Sequence, residues 1–157
     1  MKPKRIILVR HGESEGNKDE CIYKTVPDYA VRLTPLGEEQ ATAAGMKIKD
    51  IIKEDSVFFY VSPMWRTRMT FKNIVQSFDK NKIRWREEPR IREQEWGHFK
   101  TPGECRKIRK DRDRFGPFYY RIPDGESGAD VYDRVRIFLV RCIEILKNLI
   151  FPRILSL

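Results

Sequence analysis

The sequence predicts an α/β domain with a mostly parallel central sheet. Short apolar runs of strand length alternate with longer stretches of helical period, in the order strand, helix, strand, helix, strand. Hydroxyl–proline pairs, Thr34-Pro35 and Ser62-Pro63, stand where the helical stretches open; each pairs a capping side chain with a residue whose fixed φ suits a first turn. The 157 residues fit one domain, 1–157, and a composition of 40% hydrophobic and 11% aromatic residues is enough for a core.

Each element follows from its local pattern. Lys4 to Val9 read as a short buried strand, stopped abruptly by Arg10-His11-Gly12. A long polar loop runs from Glu13 to about Arg32, and loops of that length in compact domains tend to be functional. The helix opened by Thr34-Pro35 carries Ala41, Ala44, Ile48, Ile51 and Ile52 as one apolar stripe. Val57 to Val61 is the second strand. Ser62-Pro63 caps a helix from about Met64 to Phe78, and Ile83 to Arg86 is the third strand. Thr101-Pro-Gly-Glu104 and Ser127-Gly-Ala-Asp130 have capping-box spacing, so each starts a helix. In the last helix Val131, Val135, Phe138, Leu139, Cys142, Leu146 and Leu149 lie on one face and are expected in the core.

Charge and cysteine usage narrow the function classes. Lys and Arg number 32 against 23 Asp and Glu, a net charge of +9, which predicts attraction to anions such as phosphate esters. No apolar run approaches the ~18 residues of a membrane span, and the N-terminal one is shorter than the ~7–15 residues of a secretory core. Cys21, Cys105 and Cys142 are odd in number and far apart. They fit neither a disulfide framework nor a zinc knuckle, and a cytoplasmic setting is expected.

Ligands of such sheets bind at the carboxyl ends of the strands. Arg10 and His11 stand at the end of the first expected strand, Ser62 and Arg66 at the end of the second. A histidine and two arginines thus converge on one mouth, where helix N-termini add N–H groups for an anion. Neutral imidazole is nucleophilic near neutral pH, and guanidinium groups grip phosphoryl oxygens in bidentate fashion. A leaving alkoxide needs a proton, so a carboxylic acid is expected opposite the histidine. Glu93 follows the third strand and fits; Glu95, Glu13, Glu87 and Glu88 remain alternatives. Asn17 is a further donor to substrate. A plain loop histidine at His11 and a solvated Arg66 are the bland readings of the same residues.

Four motifs in order resemble the histidine phosphatase superfamily, which includes the cofactor-dependent phosphoglycerate mutases. Leu8-Val9-Arg10-His11-Gly12-Glu13-Ser14-Glu15-Gly16-Asn17 is similar to its N-terminal signature. Ser62-Pro63-Met64-Trp65-Arg66-Thr67 matches its second motif. Arg92-Glu93 with Trp96-Gly97 resembles its acid-bearing segment, and Gly125-Glu126-Ser127 the segment before its late helix. The resemblance covers residues 4 to about 140 and implies a three-layer phosphoglycerate mutase-like fold. It implies that His11 becomes a phosphohistidine, that Arg10 and Arg66 bind the phosphoryl group, and that Glu93 is the general acid and base. It implies substrate contacts from Asn17, with Ser14 and Trp96 divided evenly between pocket roles and plain turn or packing roles. No metal is expected, and 2,3-bisphosphoglycerate would be a cofactor only of a mutase. The Glu-Gln-Glu-Trp-Gly segment leans toward phosphatase-like relatives acting on small phosphorylated metabolites. Homo-oligomerisation is left open.

One departure matters. The family has a second catalytic histidine after the late helix, whereas this chain holds only His11 and His98. From about residue 150 the tail Ile150-Phe151-Pro152-Arg153-Ile154-Leu155-Ser156-Leu157 reads as a foreign end, so a C-terminally truncated fold is expected. His98 lies in a loop near Glu93 and is not expected to replace the missing group. Losing one preorganised donor typically costs ~10²–10³ in rate, so an inactive binder of phosphate-bearing ligands is the rival reading. A basic nucleic-acid-binding module is the weaker rival. The basic stretch Lys100 to Arg114 lacks interleaved stacking aromatics, and a solvated helix steering anions over the pocket mouth is expected instead.

Overall fold

The structure, a computed structural model, describes residues 5–98 and 100–150, with side chains through residue 142. In chain order it contains the helices α1 (Glu15–Lys18), α2 (Pro35–Ile52), α3 (Trp65–Ile74), α4 (Pro102–Phe115) and α5 (Gly128–Ile150), and the strands β1 (Val57–Val61) and β2 (Ile83–Glu87). Short 3₁₀ turns at Glu20–Lys24 and Asp28–Ala30 break the long polar loop.

β1 and β2 are rich in aromatic and β-branched residues, which favour a pleated, half-buried surface. They pair in parallel, Val57 opposite Ile83 and Val61 opposite Glu87. Parallel pairing needs a crossover, and α3 supplies it. Alternate residues of β1 face opposite layers. Phe59 meets Phe71 of α3 edge-on at 5.2 Å and Phe78 at 5.8 Å, while Tyr60 meets Phe138 of α5 at 5.0 Å. Helices therefore cover both faces, as an α/β layer arrangement requires. The core sits between α2, α3 and β1, where Ile48, Ile52 and Ile74 are buried against Ala44, Val57, Phe59 and Phe78. Gly45 lets α2 and α3 approach, since a Cβ there would lie 2.6 Å from the Ile74 carbonyl oxygen.

Three caps expected from spacing are formed. Thr34 accepts from Gly37 N–H at the start of α2. Thr101 and Glu104 form a reciprocal box on α4. Ser127 and Asp130 do the same for α5, Ser127 N–H donating to Asp130 Oδ2 at 2.7 Å and Asp130 N–H to Ser127 Oγ at 3.2 Å.

Several expectations need correction. The first strand, expected over Lys4–Val9, is absent: Arg5 to Val9 pair with no strand among the described residues, and Lys4 lies outside them. Ile6 and Leu8 are 80% and 93% exposed. An apolar run states a preference for burial, but a strand forms only where a neighbour accepts its backbone hydrogen bonds. Ser62 does not cap α3, because that helix begins at Trp65 with Met64 as its N-cap and no side-chain capping bond. The helix is also shorter than expected and ends in a 3₁₀ turn, Val75–Ser77. The stripe of α5 is only partly core: Phe138 is buried, whereas Leu139 is 51% exposed. Leu146 and Leu149 have no described side chains, and the tail from Phe151 to Leu157 lies outside the described residues.

Candidate active site

The loop after Val9 is folded onto the start of α2 by paired backbone and side-chain bonds. Glu15 N–H donates to Arg32 O and Thr34 N–H to Glu13 O, both at 2.9 Å, and Ser14 and Leu33 form an antiparallel bridge. Thr34 Oγ1 also donates to Glu13 Oε1 at 2.7 Å. The approach is close enough to require glycine twice. A Cβ on Gly12 would stand 2.2 Å from Gly37 O, and one on Gly37 would stand 2.0 Å from Glu13 O. Gly12 N–H is then aimed at Thr70 Oγ1 of α3, 3.2 Å away, which ties the histidine loop to the helix that carries Arg66.

His11 Nδ1 lies 2.7 Å from the Gly12 carbonyl oxygen. A carbonyl only accepts, so Nδ1 carries the proton and Nε2 keeps its lone pair. Burial lowers the imidazole pKa from its ordinary 6.5; the Gly12 bond opposes this, and the Arg66 and Arg10 cations lower it further. The neutral, nucleophilic form is therefore favoured at physiological pH.

A cleft of about 440 Å³ is lined by Arg10, His11, Ser62, Arg66, Arg92 and Glu93, together with Val9, Met64, Thr67, Ile91, Gln94 and Val131. Four of the residues expected from sequence, Arg10, His11, Arg66 and Glu93, thus share one cavity. Arg66 is buried at 3% exposure, and its Nη2 lies 3.9 Å from Glu93 Oε2. Thr67 Oγ1 is 2.7 Å from both the Ser62 and Met64 carbonyls, so the threonine of this motif pins the turn that presents the arginine.

Glu93 is held through its backbone. Arg134 of α5 donates from Nη1 to Arg90 O at 2.7 Å and Arg92 O at 2.9 Å, and from Nη2 to Glu93 O at 3.1 Å. Glu126 anchors that arginine, accepting from Arg134 Nε at 3.0 Å, from Arg92 and from Glu95 N–H. Burial pushes the Glu126 carboxyl up, but the bonds from Arg134 and Glu95 outweigh it and hold the group below its ordinary value. At the end of β2, the hydrogen bond from Arg90 holds Glu88 down to about 2. The Glu93 side chain itself is half exposed, 52%, free to reach a substrate oxygen.

Three expected residues are not brought to the cleft wall. Ser14 is 1% exposed, its hydroxyl spent in a capping box with Asn17 Oδ1 at 3.0 Å. Asn17 uses its side-chain oxygen there and is otherwise exposed. Trp96 packs beneath Arg109 and Arg112 of α4, 5.8 and 5.6 Å from its ring centre. His98 lines an adjoining cavity of about 360 Å³ with Asp28, Tyr29, Trp65, Arg68 and Arg92. Arg109, expected to steer anions, pairs with Glu20 at 2.9 Å.

Sequence reasoning missed Asp28, Tyr23, Arg92, Glu126 and Arg134 as parts of this site. Arg92 and Glu126 stand inside two of the quoted motifs, and Arg134 falls at helical spacing inside the apolar stripe of α5, between Val131 and Phe138, where a charge needs buried partners. Tyr23 occupies the space left by Gly16, whose Cβ would stand 2.2 Å from its hydroxyl; burial raises the phenol pKa, and the Asp28 charge adds to this. Among the described residues no cluster of His, Cys, Asp and Glu could hold a metal ion, and no helix is long and apolar enough to cross a membrane.

The profile of the histidine phosphatase superfamily (branch 1) matches residues 6–148. The chain belongs to that superfamily. It is 51% identical over 146 residues to the phosphoglycerate mutase-like protein AT74 of Arabidopsis thaliana, an alignment covering 88% of this chain and 46% of that protein. It is 27% identical to a broad-range acid phosphatase of Saccharomyces cerevisiae, over 87% of this chain and 68% of the yeast protein. The chain spans about half the length of the two Arabidopsis relatives it matches, 46% and 53%. Its fold is that of the α-ribazole phosphatase of Shigella flexneri, with a TM-score of 0.63 at 21% identity over 87% of this chain and 66% of that one. A mycobacterial glucosyl-3-phosphoglycerate phosphatase gives the same TM-score of 0.63 at 19% identity, over 85% and 60%.

Proposed function

We propose that the cleft takes a small phosphomonoester and transfers its phosphoryl group through His11 to water. The observation that carries this reading is the His11 Nδ1 bond to the Gly12 carbonyl at 2.7 Å. It commits the proton to one nitrogen and leaves the Nε2 lone pair in a cleft shared with Arg10, Arg66 and Glu93. In the first step Nε2 attacks phosphorus, the ester P–O bond breaks, and Glu93 gives its proton to the departing alkoxide. In the second step the Glu93 carboxylate removes a proton from water, whose oxygen displaces Nε2 and releases inorganic phosphate. Arg10 and Arg66 offset the charge on the equatorial oxygens, the main requirement of a loose phosphoryl-transfer transition state.

Water rather than a second hydroxyl as acceptor is supported by the Glu-Gln-Glu-Trp-Gly segment and by the acid phosphatase among the relatives. Three cysteines without disulfides support a cytoplasmic setting. A second reading, binding of phosphate-bearing ligands without turnover, is favoured by the position of His98, which lines the adjoining cavity and not the cleft. Hydrolysis of an aryl phosphate by the wild type and by His11→Ala tests both. Turnover lost in the variant supports the phosphatase. Orthovanadate binding without turnover in the folded wild type supports the binder.

A further inference from the structure

Arg66 spends most of its hydrogen-bonding capacity away from the cleft. A guanidinium has five N–H groups. Nη1 donates to the Asp28 backbone carbonyl at 2.8 Å and to Asp28 Oδ1 at 2.9 Å, and Nη2 donates to Asp28 Oδ2 at 3.4 Å. Nε–H and one Nη2–H remain for the cleft side, where Glu93 stands 3.9 Å from Nη2. Asp28 lines the adjoining cavity and not the cleft, so a phosphoryl group entering the cleft meets an arginine already gripped from behind.

Asp28 is itself anchored. It opens the 3₁₀ turn Asp28–Ala30, in which Val31 N–H donates to Asp28 O at 3.3 Å. The turn runs directly into Val31, which is fully buried, and on to Leu33, which is 6% exposed. The backbone that carries the carboxylate is therefore held in place, and only the short Asp28 side chain separates it from Arg66.

We infer that Asp28 is a positioning residue: its side chain and backbone carbonyl hold the Arg66 guanidinium in the orientation that presents Nε–H and the free Nη2–H to the phosphoryl group. This rests on the phosphoryl-binding reading of the cleft. The physical gain is preorganisation. An arginine has many rotamers, and freezing it before the ligand arrives removes that loss from the binding step. A planar, bidentate grip also orients the group in a way that a single charge contact does not.

The test uses orthovanadate as the phosphoryl probe, with nitrogen-detected spectra of the arginine side chains as a readout independent of any ligand. In the wild type, Arg66 is expected to show resolved Nη signals, because rotation about its Cζ bonds is blocked. In Asp28→Ala these signals should merge and vanadate affinity should fall about tenfold. The rise should appear mainly in KM for an aryl phosphate. Asp28→Asn keeps an oxygen acceptor in place and should recover most of the affinity. Vanadate affinity and resolved Arg66 signals unchanged in folded Asp28→Ala would overturn the inference while leaving the phosphatase reading intact. If Arg66→Ala binds vanadate as the wild type does, the phosphoryl-binding reading of Arg66 fails instead. The Arg66 signals in Asp28→Ala then decide alone whether Asp28 orients the guanidinium.

Discussion

Residues Ile6–Val9 and Gly12–Ser14 are near neighbours in the chain and are held in opposite ways. The apolar segment pairs with no described strand, and Leu8 is almost entirely exposed. The loop just beyond it is stitched to the entry of α2 by two backbone bonds, a side-chain bond from Thr34 to Glu13 and two glycine contacts. The difference shows what each kind of order depends on. Hydrogen bonds between segments about 20 residues apart order the loop, and the Gly12 N–H bond to Thr70 of α3 adds one longer-range tie. An apolar strand is stabilised only by neighbouring strands and helices that remove it from water. The histidine loop is therefore built without any strand pairing by the apolar segment that leads into it.

The sharpest way to probe the loop is through His11, its proposed nucleophile. His11→Ala should lower aryl phosphate turnover by ~10³-fold or more, measured as kcat. Undiminished hydrolysis would remove the loop from the chemistry altogether. Arg66→Ala comes next. Removing a preorganised cation should cost ~10²-fold in kcat/KM and weaken orthovanadate binding. It also strands the Asp28 carboxylate, which should lower stability by about 2 kcal/mol in urea unfolding.

Arg134→Ala asks whether the loop and the Glu93 segment are held separately. Three backbone carbonyls lose their donor, so kcat should fall about tenfold while vanadate affinity changes little. Equal losses in both would mean that the two segments behave as one unit.

A smaller effect concerns pH. Burial, with help from Arg66 and Arg10, lowers the His11 pKa, so the acid limb of kcat/KM should fall at a pH below 6.5. In Arg66→Ala one depressing charge is gone and the limb should move upward. The same shift makes the unfolded chain bind a proton before the folded one does. The His11 contribution to stability is thus full above pH 6.5 and declines as the pH drops below it. The smallest effect tests the other region. Leu8→Ser alters a side chain that is 93% exposed and should change stability by less than about 0.5 kcal/mol. A large loss would show that the segment is covered in solution.

Much of the fold was legible because its signals are short-range. Thr34, Thr101 and Ser127 cap helices where the spacing placed them, since a cap acts over three residues. Val57–Val61 and Ile83–Arg86 read as strands from composition, and His11 and Arg66 were singled out by their motifs and expected strand-end positions. Ser14 was less legible: the sequence divides it evenly between a pocket role and a turn role, and it closes a box with Asn17, a pairing that the usual glutamate or glutamine pattern does not flag. Asp28 left no signal at all, because a carboxylate in a polar loop looks the same whether it faces water or a buried guanidinium.

Sequence alone thus determined most of the local elements, their order and the residue types available to the cleft, because caps, periodicity and turn chemistry act within a few residues. Tertiary structure decided which of those residues meet. It put Arg66 between Asp28 and Glu93, set Arg134 against three carbonyls of the 90–93 segment, and left Ile6–Val9 without a strand partner. Long-range pairing depends on what the rest of the chain brings to each surface, and no window of neighbouring residues contains that information.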